Sequence, residues 1–303
     1  MTPTIVGPEA EAHLDWIALT DAIVAGHRLP KAEIADTFLR RRADTLLTRS
    51  AWIDGLGLAV KAATIFPGNE SLGLANVQGA LGLFDDRTGA LRAYLDFGLV
   101  TKWKTAADSL LAARLLARPQ SRNFLIVGAG AVARSMVQAY AAAFPQARFH
   151  VWTRSPEKAR AFAVETGAHP VEDLEAAVRA ADVIATATMA TQPIIRGAWL
   201  RPGTHLDLIG AYRSDMREVD DDAMRRARVF VDSRATTVHH IGEIMAPIAS
   251  GALSEQDIVA DFYDIAEGRF ARISDDEITI AKNGGGAHLD LMTADYILRA
   301  TAG

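Results

Sequence analysis

The chain of 303 residues contains no cysteine, which excludes disulfides, thiolate metal sites and a cysteine nucleophile. Aromatic residues make up only 7% of it and the net charge is −5. With no long basic run, nucleic acid is not an expected partner. No uncharged apolar stretch reaches the length of a membrane span, so no membrane partner is expected either. The opening residues MTPTIVGPEAEAHLDW lack a basic region followed by an apolar core. No signal peptide is expected, and the chain reads as soluble and cytoplasmic.

What is present points to a two-domain α/β protein. Half of the residues are hydrophobic, enough for a sizeable core, and the length suggests two domains. The stretch LIVGAGAVARSMVQAYAAAFPQARFHVWTRS, residues 125–155, reads as buried strand, tight glycine turn, helix and second strand. Gly128 allows a sharp exit from the strand, and Gly130 allows a pyrophosphate to approach the backbone. Ala133 stands where a third glycine is common and still permits close packing of helix on sheet. The amides of Gly128, Ala129, Gly130, Ala131 and Val132 would hold the pyrophosphate, because orphan N–H groups at a helix start favour an anion.

The second strand speaks to cofactor choice. An NAD-preferring site usually places an acid about twenty residues on, to bind the ribose 2′-hydroxyl. This chain reads Trp152-Thr153-Arg154-Ser155-Pro156, with no acid before Glu157. Arg154 is placed to pair with a 2′-phosphate, with Thr153 and Ser155 as hydroxyl donors. NADPH is favoured over NADH.

Around this unit, helical patterns cover 19–25 and 30–42, and strands are expected at 46–51, 58–66, 77–85 and 90–96. Those strands suggest a small antiparallel sheet, followed by an amphipathic helix over 104–117 and a crossing between domains at 119–123. Further strands at 182–187, 205–209 and 229–232 alternate with helices near 171–180, 220–226 and 241–250. That order predicts a doubly wound parallel sheet over 119–275. The tail, 277–301, is expected beyond the last sheet strand, returning to the first domain. Adjacent His239 and His240 have diverging side chains and no carboxylates at ligand spacing, so they read as surface or cap residues and no metal is expected.

Several segments in order resemble the ornithine cyclodeaminase and mu-crystallin family: VKAATIFPGN (60–69), LVTKWKTAADSLLAARLLA (99–117), VGAGAVA (127–133), WTRSPEKA (152–159), TATMATQPII (186–195), IGAYRSDMREVD (209–220) and EITIAKNGGGAHLDL (277–291). The resemblance implies an α/β chain with a Rossmann domain, 119–275, bearing NADP(H). It also implies a smaller α+β substrate and dimerisation domain made from 1–118 and 276–303, hence a homodimer. It places Thr186, Ala187, Thr188, Gly210 and Gly285 beside the cofactor.

The resemblance also puts Lys61 in the active site. A lysine in an apolar strand is costly to bury unpaired, and desolvation would make it a usable proton donor or acceptor; otherwise its stem lies along the sheet and its head reaches water. Lys104 falls where the family usually has an arginine for a substrate carboxylate, with Thr105 a further contact at the expected helix start. A second cation is expected from Arg41 or Arg42, which the spacing does not separate. Cyclodeaminases carry an aspartate where this chain has Tyr212, which removes the base for deamination. The expected activity is therefore NADPH-dependent reduction of a small cyclic imine 2-carboxylate, Δ1-pyrroline-2-carboxylate first and its six-membered analogue next. An ornithine cyclodeaminase, an alanine dehydrogenase and a non-catalytic NADPH-dependent ligand binder remain as alternatives.

Overall fold

The structure, a computed structural model, describes residues 2–301. In chain order its elements are β1 (Thr4–Val6), α1 (Trp16–His27), β2 (Glu33–Arg41), β3 (Asp44–Ile53), β4 (Gly57–Ile65), β5 (Val77–Phe84), β6 (Leu91–Asp96) and α2 (Phe97–Leu116). Then follow β7 (Asn123–Val127), α3 (Ala131–Ala143), β8 (Arg148–Trp152), α4 (Pro156–Thr166), β9 (His169–Pro170), α5 (Leu174–Ala180), β10 (Val183–Thr186), β11 (His205–Leu208) and α6 (Asp221–Arg226). The last are β12 (Ala227–Val231), α7 (Arg234–Thr237), α8 (Gly242–Ser250), β13 (Ile278–Lys282) and α9 (Ala287–Thr301). No described helix is long and apolar enough to cross a membrane.

Two compact units emerge, Met1–Lys104 with Gly286–Gly303, and Thr105–Gly285, so the division falls inside α2. The first unit is built on a six-stranded sheet in the order β1-β6-β5-β4-β3-β2. All its pairs are antiparallel except β1 with β6. Helix α9 packs on β3 and β4. Strand β4 alternates, with Gly57, Ala59, Lys61 and Ala63 buried and their neighbours more exposed, the pattern of a sheet covered on one face.

The segment expected to be helical over 30–42 is a strand. Ile34 and Phe38 sit four residues apart and imitate a helical stripe, but β2 pairs along its whole length with β3. The hairpin turns at Arg42, whose φ of 55° is the left-handed conformation that tight strand connections favour. The helix expected from 104 begins at Phe97 instead, where Asp96 Oδ1 accepts the N–H of Leu99 at 2.7 Å.

The second unit is an all-parallel seven-stranded sheet, β12-β13-β11-β10-β7-β8-β9, with a core that includes Leu125, Val127, Ile184, Leu206, Val229 and Ile280. Helices α4, α5 and α6 start at Ser155, Asp173 and Asp220, whose side chains accept N–H groups of the first turn, satisfying donors that the helix leaves orphaned. The tail corrects an expectation. Ile278–Lys282 is not beyond the sheet but is strand β13, buried at all five positions and inserted between β11 and β12. Its ITIA run is uncharged, with three β-branched residues, which suits a strand buried on both faces.

Candidate active site

In the second unit, β7 delivers the chain to Gly128, where φ is +116° and an added Cβ would stand 2.5 Å from the carbonyl oxygen of Ala187. Only glycine fits this crossing. Gly130 is the N-cap of α3 and provides no side-chain cap, while a Cβ on it would project into open space. The first turn of α3 also lacks an acid. Uncapped amides, the helix dipole and an open glycine suit a pyrophosphate, so the residues present fit a bound dinucleotide. At the end of β8, Arg154 is exposed, and Ser155 Oγ accepts the N–H of Lys158 as the cap of α4. Thr153 and Arg154 therefore lie at the strand tip, where the adenosine ribose of such a ligand belongs.

Two loops beyond this turn are tied to one buried anion. Glu218 accepts hydrogen bonds from Thr186 Oγ1 at 2.8 Å, Thr188 N at 2.9 Å and Thr188 Oγ1 at 2.7 Å. It also accepts from Gly210 N at 2.9 Å and Ala211 N at 3.2 Å. The segments after β10 and β11 are thus held together by a single carboxylate. Glu243 in turn accepts the backbone N–H groups of Glu218 and Val219. Burial, with the neighbouring Glu218 charge, pushes Glu243 up to about 7. Lys282 is fully buried, donates to the carbonyls of Leu208 and Asn283, and is held below the usual lysine range by that burial. Gly285 N donates to Asp232 Oδ2.

The first unit holds a second polar cluster. Lys61, 6% exposed, donates from Nζ to Asp290 Oδ1 at 2.9 Å and lies 4.8 Å from the centroid of the Phe97 ring. Burial is the largest influence on Lys61 and lowers its pKa; Lys104 and Arg49 push the same way, and Asp290 opposes them. Burial pushes Asp290 up, but Lys61, Lys104 and Arg49 together hold it below the usual carboxylate range. Asp290 Oδ2 has no hydrogen-bond partner among the described residues. Lys104 is 8% exposed, and its charge acts on Lys61, Asp290 and His288. This unit therefore presents a buried ammonium able to give or take a proton, set among further cations.

The structure brings Lys61 and Lys104 together but does not bring Arg41 and Arg42 to them. Arg42 occupies the hairpin turn, and Arg41 pairs with Asp44 while 77% exposed. Thr105 lies inside α2 rather than at a helix start, so its N–H belongs to the helical ladder; the expected helix-end contact is corrected. Tyr212 is exposed, and Asp215 pairs with Arg213 rather than taking the tyrosine's place. His239 is exposed, 3.8 Å from Glu255. Asp290 and Arg49 were missed by the reading of the sequence. The only signals were a solitary acid in the apolar run AHLDLM and an arginine in the strand LLTRSAWI.

Three comparisons bear on these features. The model of the ornithine cyclodeaminase/mu-crystallin family matches residues 39–302. The Delta(1)-pyrroline-2-carboxylate reductase of Paracoccus denitrificans is 53% identical over 302 residues, 97% of this chain and 96% of that protein. Among solved structures, the Delta(1)-pyrroline-2-carboxylate reductase of Thermococcus litoralis, in complex with NADH and L-proline, is 26% identical with a TM-score of 0.89, covering 99% of this chain and 97% of that one. An archaeal alanine dehydrogenase dimer with bound NAD is also 26% identical with a TM-score of 0.89, covering 100% and 97%.

Proposed function

The chain belongs to the ornithine cyclodeaminase/mu-crystallin family, and we propose that it is an oxidoreductase that reduces Δ1-pyrroline-2-carboxylate to proline with NADPH. The observation that carries this reading is the buried Lys61–Asp290 pair beside Lys104, in a chain so similar over its length to a reductase of that imine.

Roles divide by unit. The second unit holds the dinucleotide, with its pyrophosphate on Gly128, Ala129, Gly130, Ala131 and Val132. Thr186, Ala187, Thr188, Gly210 and Gly285 line the cofactor further on. Arg154, Thr153 and Ser155 take the 2′-phosphate, which selects NADPH; the exposure of Arg154 and the absence of an acid on this strand tip support that choice. When bound, the cofactor supplies a hydride to C2 of the imine. The first unit holds the ring. Lys104 pairs with the carboxylate as a point charge, without the bidentate fork of an arginine.

Reduction of C=N consumes one hydride at carbon and one proton at nitrogen. Carbon is most electrophilic when nitrogen is protonated. Lys61 keeps that proton in place, and Asp290 keeps Lys61 charged in a setting where burial opposes charge. Holding the reactants in line supplies much of the rate. Two copies pair through the outer face of the first unit's sheet. Leu39, Leu46, Trp52, Val60 and Tyr94 lie exposed there, and grouped exposed apolar side chains mark an interaction surface.

Initial rates of NADPH consumption with Δ1-pyrroline-2-carboxylate, its six-membered analogue, and pyruvate plus ammonia test this reading. A kcat/KM for a cyclic imine at least tenfold above that for pyruvate plus ammonia is expected. A preference for pyruvate would replace it with an alanine dehydrogenase.

A further inference from the structure

We propose that Glu218 is a positioning residue for the nicotinamide half of the dinucleotide. One proton carried by Glu243 keeps Glu218 in place, which links binding of that half to pH. The proposal rests on the dinucleotide reading above and adds the device that regulates that site.

Strand order carries the first part. From β7 the sheet extends through β8 and β9 on one side and through β10 and β11 on the other. A dinucleotide lies across such a switch point, with one mononucleotide half on each side. The tip of β8 belongs to the adenosine half, and the segments after β10 and β11 belong to the nicotinamide half. Glu218 joins those two segments from its backbone as well as its side chain. Its carboxylate accepts from Thr186, Thr188, Gly210 and Ala211. Its carbonyl accepts the N–H groups of Ile194 and Ile195 at 2.8 and 3.0 Å, and its own N–H goes to Glu243 Oε2 at 2.6 Å.

Hydrogen-bond capacity carries the second part. The Glu218 carboxylate takes five donors, two at Oε1 and three at Oε2. A carboxylate offers about four lone-pair sites, so none is left for a proton. Glu243 accepts one N–H at each oxygen, from Val219 at Oε1 and from Glu218 at Oε2. Room for a proton remains there, and of the two carboxyls Glu243 is the one that can carry it.

Charge carries the third part. Glu218, Glu243 and Lys282 are all fully buried. Glu218 and Lys282 are the charged groups that face Glu243, and Lys282 also faces Asp232 and Asp108. Two carboxylates bridged by one backbone N–H repel strongly in a buried site, and the one ammonium facing both offsets a single charge. Burial and the Glu218 charge push Glu243 up to about 7, so its proton is held below that value and lost above it. Losing it sets a second anion against Glu218, and relief comes from moving Glu218 together with the segments it holds. A ligand that selects the held segments therefore binds more tightly below that pH than above it.

The test is calorimetric binding of two probes, NADP+ and adenosine 2′,5′-bisphosphate, which is its adenosine half alone. The unmodified protein is compared with Glu243→Gln and Glu218→Gln. Phosphate titration affects the unmodified protein and Glu243→Gln alike, so the signal is the difference between them. From about pH 6 to about pH 8.5, NADP+ affinity should fall about fivefold more in the unmodified protein than in Glu243→Gln, which is neutral throughout. The bisphosphate should show no such excess. Glu218→Gln, which sets an NH2 donor against other donors, should weaken NADP+ binding about tenfold or more and bisphosphate binding less than about twofold. The same pH dependence of NADP+ binding in the unmodified protein and Glu243→Gln would overturn the proposal. So would an excess shared by the bisphosphate, or equal losses of both probes in Glu218→Gln. If the protein takes only NAD+, NAD+ and AMP replace the two probes. Binding of neither dinucleotide to the unmodified protein overturns the dinucleotide reading and this proposal with it, whereas binding without the pH difference overturns this proposal alone. Should Glu218→Gln not fold, the pH comparison with Glu243→Gln decides.

Discussion

Lys61 on β4 and Asp290 on α9 stand 229 residues apart in the chain and 2.9 Å apart in space. Both are almost wholly buried, and breaking such a pair by removing one partner leaves an uncompensated charge. Lys61→Met tests the chemical half of the relationship. The variant is expected to lose about a hundredfold or more in kcat, the range for a positioned acid–base group. NADPH affinity, measured by fluorescence titration, should stay within twofold, because the dinucleotide cradle belongs to the other unit.

Asp290→Asn tests the electrostatic half. An ammonium is favoured by a nearby carboxylate, so removing Asp290 moves the Lys61 pKa further down from a value that burial already holds below 10.5. Activity that needs the ammonium is present below that pKa and lost as pH rises through it. Lys104 and Arg49, which also face Lys61, remain and repel the charge. The alkaline limb of the kcat profile should therefore shift to lower pH in the variant. An unmoved limb would mean that Lys61 does not set it.

Arg154→Ser addresses cofactor choice. Loss of a charge-assisted contact with a 2′-phosphate should weaken NADPH binding by roughly ten- to a hundredfold, with NADH binding nearly unchanged. Isothermal titration of both cofactors reads this directly, and an equal change for both would assign Arg154 to the surface.

Gly210→Ala probes the loops held by Glu218. A Cβ at Gly210 would stand 2.3 Å from both Glu218 Oε1 and Thr188 N, so something must shift. The expected cost is about 1–3 kcal/mol, as for other overpacked positions, seen as a lower Tm together with weaker cofactor binding.

Glu243 gives the second unit a pH signature. Its carboxyl is pushed up to about 7 from 4.5, so between those values the folded state holds more protons than the unfolded one. Stability should fall as pH rises from 4.5 to 7, by up to a few kcal/mol. Glu243→Gln should flatten that slope in denaturant titrations at several pH values.

How much was legible in the sequence depended on how local each feature is. The turn at Gly128, the helix after it and several of the parallel strands were readable because their signals lie within a few residues. The β2 strand was not, since Ile34 and Phe38 fit a helical spacing and only pairing with β3 overrides it. Strand β13 was missed because a late segment enters the sheet between two earlier strands. Lys61 was readable as an oddity in an apolar strand, whereas its partner Asp290 depends on α9 returning to the first unit.

The central claim is that this chain transfers a hydride and a proton to a ring C=N. The most direct measurement is a single turnover of excess protein and NADPH with Δ1-pyrroline-2-carboxylate, counting proline by chromatography against NADPH consumed. One proline per NADPH, slowed about a hundredfold or more by Lys61→Met, is the predicted result. Tight NADPH binding with no proline formed would contradict it.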